Sequence, residues 1–144
     1  MSFNPVLCAV DISDDTRDIG VLKQAARLAA LDEAQLDVIT VVPDYGMSVV
    51  GAFFEPGHHD KAVEEARRRL NDLVTAALGE DANARVRHIV STGNAYEEIL
   101  KTAEADGAGL IVIGAHKPDF KDYLLGPNAA RVVRHSNCSV HVVR

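Results

Sequence analysis

Two stretches of the chain combine residue types that can hold a ligand. Asp11 directly follows the apolar run Val6-Leu7-Cys8-Ala9-Val10. A carboxylate at the end of a buried strand can accept hydrogen bonds from a ribose hydroxyl or an adenine amino group. The competing use is local, because an acidic residue there also serves as a turn or a helix cap, work that Asp14 or Asp15 can do instead. The second stretch is GAHKPDFKDYLLGPN, residues 114–128. Gly114 and Gly126 frame it and let a ligand close to the backbone, and Lys117 and Lys121 between them point to an anionic one. Gly126-Pro127-Asn128 also reads as a helix start, with glycine as N-cap and proline at the first helical position. Free amides at such a start, here those of residues 128–130 with Asn128 and Ala129 among them, favour an anion. The folding reading and the phosphate reading are compatible.

Other chemistries lack their residues. No glycine-rich fingerprint follows the first strand, where the chain reads Asp11-Ile12-Ser13-Asp14-Asp15, and no Walker-type loop occurs anywhere. A phospho-acceptor receiver domain needs an aspartate where Ser91-Thr92-Gly93 stands, and a flavodoxin needs a hydroxyl-rich loop where this one is acidic. His58-His59-Asp60 has no third metal ligand at a recognisable spacing, and 46–60 reads as a long loop. His116 either reaches a ligand or faces solvent. Arg67-Arg68-Arg69 is preceded by Glu64 and Glu65, the pattern of a solvated, ion-paired helix face rather than a nucleic-acid patch. No catalytic triad, Cys-His pair or carboxylate pair stands out, so no metal site and no enzyme are expected.

The elements that position these residues alternate. Val6–Val10, Leu36–Val42, Val86–Val90, Leu110–Ile113 and Val140–Val143 read as short strands buried on both faces. Between them run helical stripes: Ile19, Leu22, Ala26, Ala29 and Ala30, then Val63, Ala66, Leu70, Leu73 and Ala77. A third contains Tyr96, Ile99, Leu100 and Ala103, introduced by Asn94 and Glu97 as a capping box, and Ala129–His135 forms the fourth. Alternating strands and helices predict right-handed crossovers and a mostly parallel, doubly wound α/β sheet. Ligands of such sheets sit where the strand order reverses, beyond the carboxyl ends of the strands. If strands 1 and 4 are central neighbours, that crevice lies between Asp11 and Gly114.

The whole chain sets the frame. Its 144 residues suit one domain over 1–144, a size that buries about 68–70% of the unfolded chain's surface without disulfides or metals. A formal charge of −6 argues against nucleic acid and anionic membrane as partners. There is no secretory signal pattern, and no apolar run is long enough to span a bilayer. Cys8 and Cys138 read as small buried hydrophobes in a reduced compartment, so a cytoplasmic location is expected.

Val10-Asp11, Val41-Val42-Pro43 and the stretch Gly114 to Val143 together resemble the universal stress protein family over essentially the whole chain. HKPDFKDYLLGPNAARVVRHSNCSVHVVR is similar to its F/G-type bacterial members in particular. The resemblance implies an open five-stranded parallel sheet of order 3-2-1-4-5, Rossmann-like and related to the adenine nucleotide alpha hydrolases. It also implies a homodimer through the C-terminal strand, with ATP or AMP, with or without Mg2+, bound as a regulatory ligand. Carried over by residue, Val10-Asp11 would meet the adenosine and Val41 would line the adenine with its backbone. Ile113 and Gly114 would pass beside ribose and phosphates, with His116 and Lys117 in the loop that follows. Gly126, Pro127, Asn128 and Ala129 would make the phosphate cradle. Two departures stand out: Lys117 takes the place of the family's second glycine, with the interval to Gly126 one residue short, and Pro127 replaces serine or threonine. Losing that hydroxyl and amide would weaken binding by about ten- to a hundredfold. Lys117, Lys121, Asn128 or Arg131 can compensate. The alternative is a nucleotide-free homodimeric interaction module of the same fold.

Overall fold

A computed structural model describes residues 3–13, 18–43, 58–115 and 126–144. The elements run β1 Val6–Ala9, α1 Ile19–Leu31, β2 Leu36–Val42, α2 His58–Leu78, α3 Glu80–Asn83, β3 Arg87–Thr92, α4 Ala95–Asp106, β4 Leu110–Gly114, α5 Gly126–His135 and β5 Ser139–Val143. The strands form one parallel sheet in the order β3-β2-β1-β4-β5, the expected order.

Successive side chains of a strand point to opposite faces, so each buried strand feeds two cores. Val6 and Cys8 of β1, Leu36 and Val38 of β2 and Val112 of β4 pack under α1 and α2 with Leu22, Leu70 and Val74. Leu7 and Ala9, Ile39, and Ile111 and Ile113 pack under α4 and α5 with Ile99, Ala103 and Val132. Helices on both faces explain why β1 and β4 are apolar throughout rather than alternating.

Several boundaries differ from the sequence expectation. β1 ends at Ala9, although the Val10 N–H still donates to the Ile39 carbonyl at 3.0 Å. β3 takes in Ser91 and Thr92, which pair in register with Val41 and Val42; backbone pairing continues where side-chain hydrophobicity has stopped. α2 begins at His58, so residues 58–60 are helix and not loop, and Asp60 in its first turn complements the helix dipole. The single turn α3 carries no periodicity to read. Asn83 holds it, donating from Nδ2 to Asn71 Oδ1 at 2.8 Å and Thr75 Oγ1 at 2.9 Å.

α5 starts with Gly126 inside the helix, not as a cap before it. Asn94 occupies the N-cap position of α4, but its side chain makes no capping bond. The orphan Tyr96 N–H is met instead by Oδ1 of Asn128, 32 residues further along, at 3.2 Å. Glu65 takes both Arg68 and Arg69 on the exposed face of α2. Cys8 is fully buried, and burial, followed by the nearby Asp18 charge, pushes its thiol far up. Cys138 is only partly buried, with its Sγ 3.4 Å from Ser136 Oγ.

Candidate functional site

The order of the sheet places β1 between β2 and β4, so the chain winds away from β1 in both directions. This is the switch point of a doubly wound sheet. At the carboxyl end of β1 lies a narrow slot of about 30 Å³ lined by Ala9, Val10, Asp11, Ile39, Val41 and the first turns of α4. Its walls are mainly aliphatic, with Thr40 also among them, and Asp11 is the charged residue at its rim. A larger cavity of about 210 Å³ lies beside Gly107, Ala108 and Cys138, at the amino ends of β4 and β5 and away from the switch point.

Asp11 is 8% exposed and held on both sides. Its Oδ1 accepts the Ser13 N–H at 2.9 Å and the Ser13 hydroxyl at 2.7 Å, a side-chain turn that fixes the carboxylate. Its own N–H donates to Oδ2 of Asp18 at 2.6 Å. Asp18 is fully buried and stands at the N-cap position of α1, where its carbonyl accepts the Leu22 N–H at 2.9 Å. The carboxylate of one aspartate thus orients the backbone that presents the other. Oδ2 of Asp11 takes no hydrogen bond from the described residues. A charged acceptor beside an apolar slot suits a polar hydroxyl or amino group carried on a flat apolar body.

The structure brings Val10, Asp11 and Val41 together in this slot. Ile113 is paired in register with Ala9, and Gly114 closes β4 against Val143 of β5. Asn128 and Ala129 are buried at the start of α5. The Asn128–Tyr96 bond ties that start to the start of α4, whose Ala95 and Ile99 line the slot. Gly126 and Pro127 belong to the first turn of α5. Their side chains, like His116, Lys117 and Lys121 altogether, lie outside the described residues, as do Asp14 and Asp15. Arg131 places its guanidinium carbon 5.1 Å from the centre of the Tyr96 ring, a cation–π contact.

Sequence reasoning missed Asp18, Thr40, Ala95 and Ile99 as parts of this region. Asp18 carried a signal, since it immediately precedes the apolar stripe that begins at Ile19. Thr40, 2% exposed, was a polar residue inside the run Leu36–Val42. Ala95 and Ile99 had none, because a helical stripe does not say which strand ends it covers. Among the described residues no three His, Cys, Asp or Glu side chains gather as a metal site, and no helix is long and apolar enough to cross a membrane.

Comparison with known proteins assigns the architecture. The sequence profile of the universal stress protein family matches residues 2–144. Universal stress protein MJ0577 of Methanocaldococcus jannaschii is 35% identical over 92 residues, 63% of this chain and 56% of that protein. Universal stress protein G of Shigella flexneri is 38% identical over 80 residues, 56% of this chain and 55% of that one. The chain thus spans just over half the length of these two relatives. Universal stress protein A homolog 1 of Coxiella burnetii is 29% identical over 99% of this chain and 97% of its own. The structure of MJ0577 superposes with a TM-score of 0.76 at 27% identity, covering 99% and 96% of the two chains. The same fold recurs in a universal stress protein in complex with cAMP, at a TM-score of 0.66 and 21% identity over 100% of this chain and 98% of that one. It also recurs in one from Archaeoglobus fulgidus in complex with dAMP, at 0.67 and 21% over the whole of both chains. The match along 2–144, together with the strand order and the superposition on MJ0577, places this chain in the universal stress protein family.

Proposed function

We propose that this chain is a cytoplasmic universal stress protein, a single domain over residues 1–144, that binds an adenine nucleotide as a regulatory ligand. ATP or AMP, with or without Mg2+, is the ligand class, and a homodimer through the edge strand β5 is the working assembly. The observation that carries this reading is Asp11: a nearly buried carboxylate, fixed by Ser13 and Asp18, at the switch point beside an apolar slot. The slot takes the edge of a base along Val10 and Val41, and Asp11 Oδ2 accepts from the ribose hydroxyls. Ile113 and Gly114 pass beside the sugar and phosphates. The amides at the start of α5 from Asn128 and Ala129 onward face the phosphate charge, in a first turn that holds no acidic residue. His116 and Lys117 complete the set. Relatives of the same fold in complex with cAMP and dAMP support an adenine nucleotide as the class. In this reading the nucleotide is a regulatory ligand and not a substrate, with at most weak ATP hydrolysis.

A nucleotide-free interaction module is the second reading. Pro127 favours it, because proline supplies neither amide nor hydroxyl at the cradle. Denaturing freshly purified protein and identifying released nucleotide by mass spectrometry separates the two. Released ATP, ADP or AMP in near-stoichiometric amount supports the first. An empty protein that also fails to take up ATP or AMP in calorimetry supports the second.

A further inference from the structure

The opposite end of the groove between β2 and α4 holds a second arrangement of charge. Asp37 is the second residue of β2 and shares the sheet face of Ile39 and Val41 beneath α4. It is 0% exposed, and as a carboxylate neither of its oxygens has a hydrogen-bond donor among the described residues. Asp106, the last residue of α4, also has a buried Oδ2 without a partner among the described residues, and it bonds Arg87, the residue paired in register with Asp37. Oδ1 of Asp106 accepts from Arg87 Nη1 at 3.1 Å. Gln35 donates from Nε2 to the carbonyls of Leu36 and Arg85, each at 2.9 Å, and with Arg87 it opposes the rise of the Asp37 pKa only in part.

The charges facing the pair are few. Arg87 comes from β3, where it is paired in register with Asp37. β1 offers Leu7 and no charge. Of the charged groups on α4, Lys101 and Glu98 line the surface groove with Arg87 and Asp106, whereas Glu104 lines the cavity beside Gly107 and Ala108. The buried Asp37 and the partly buried Asp106 face a single, mostly exposed guanidinium, which leaves one positive charge missing, and three carboxylate oxygens lack a donor among the described residues. One proton restores the charge balance and partners two of the three oxygens: a carboxylic acid on one residue donates to the carboxylate of the other.

We infer that Asp37 and Asp106 share one proton and so form a latch that fastens the end of α4 to β2 only while that proton is held. Two acids that converge on one guanidinium cannot both ionise cheaply where their oxygens are buried. In keeping with this, burial, then the hydrogen bond and charge of Asp106, push Asp37 up to about 7. An unfolded aspartate titrates near about 3.9. Between these values the folded chain keeps a proton that the unfolded chain has lost. The latch therefore contributes its full stability at low pH, loses it progressively as pH rises through this window, and has nothing left to lose above about 7.

The experiment is a carboxyl-carbon NMR titration of the full chain, with thermal unfolding of wild type and Asp37→Asn from about pH 5.5 to about pH 8.5. The expected titration has one step of the Asp37–Asp106 pair near neutrality. The asparagine mimics the neutral acid and donates to Asp106 permanently. Wild type should therefore lose about 3–5 °C more than Asp37→Asn across that range. Both carboxyls ionised below about pH 4.5, with parallel melting curves, would overturn the shared proton. A low titration accompanied by a melting temperature that climbs with added Mg2+ or Na+ would overturn it too, in favour of a bound cation. If Asp37→Asn does not fold, the wild-type titration alone decides.

Discussion

α4 covers β2 from one end to the other, and an aspartate sits near each end of that groove. At the upper end Asp11 borders the slot beneath Ala95 and Ile99, and at the lower end Asp37 meets Asp106. Both are buried, yet their chemistry differs. Asp11 is met by neutral donors from its own loop, the N–H and hydroxyl of Ser13. These bonds fix Oδ1 and hold the carboxylate in one orientation at the slot, where Oδ2 can receive a ligand's donors. Burial first, and then the second acid Asp106, disfavours the charge of Asp37. The two ends of the groove differ in what surrounds the carboxylate: donors from its own loop at one, a second acid at the other.

The comparison can be broken or sharpened by substitution. The largest effect should come from Asp11→Ala, which removes the charged acceptor at the upper end. Each lost hydrogen bond to a charged group is worth about 1.5–3 kcal/mol, so ATP affinity should fall by about ten- to a hundredfold in calorimetry while the chain stays folded. Unchanged affinity would remove Asp11 from the site and erase the functional side of the contrast.

Next is Asp18→Ala. It turns the satisfied end into an unsatisfied one by orphaning the buried Asp11 N–H, at a cost of about 1–3 kcal/mol. The melting temperature should drop by about 3–9 °C. Asp18→Asn, which keeps an acceptor oxygen, should recover most of the loss, and equal losses for both would show that charge rather than hydrogen bonding orders the loop.

Pro127→Ser should act on the ligand alone. It restores an amide and a hydroxyl at the start of α5, so ATP binding should tighten by up to about tenfold. AMP, with one phosphate, should gain much less. Equal indifference of ATP and AMP in a folded variant would end the cradle reading and bring the interaction module forward.

The smallest effect is expected from Asn128→Ala, which takes the acceptor from the Tyr96 N–H. Stability should fall by about 1 kcal/mol, as for a lost helix cap. ATP affinity should change little, since the proposed cradle uses the Asn128 amide and not its side chain. A large loss of affinity with unchanged melting would instead make the side chain a ligand contact.

What was legible in the sequence is what local periodicity encodes. Apolar runs of four to seven residues between helical stripes foretold five strands and four long helices, but burial on both faces holds for the central β1 and β4, while the edge strands β3 and β5 are only partly buried and carry polar residues. The position of Asp11 at the end of the first run followed from the same pattern, as did the place of Gly114 at the end of the fourth. Asp37 was visible as a charge inside Leu36–Val42 but had no readable partner, since Asp106 belongs to a helix on the far side of β3 in the chain. The capping box at Asn94 and Glu97 was a local pattern that tertiary packing overrode when Asn128 supplied the acceptor. Likewise Asp14 and Asp15 were nearer in sequence to Asp11, but Asp18 is the residue bonded to its backbone. The sequence by itself determined which segments are strand and helix and in what order, because those depend on neighbours within a turn or a pleat. Only the tertiary structure decided which buried acid meets a donor and which meets another acid, because that depends on partners tens of residues away, brought together by the winding of the sheet.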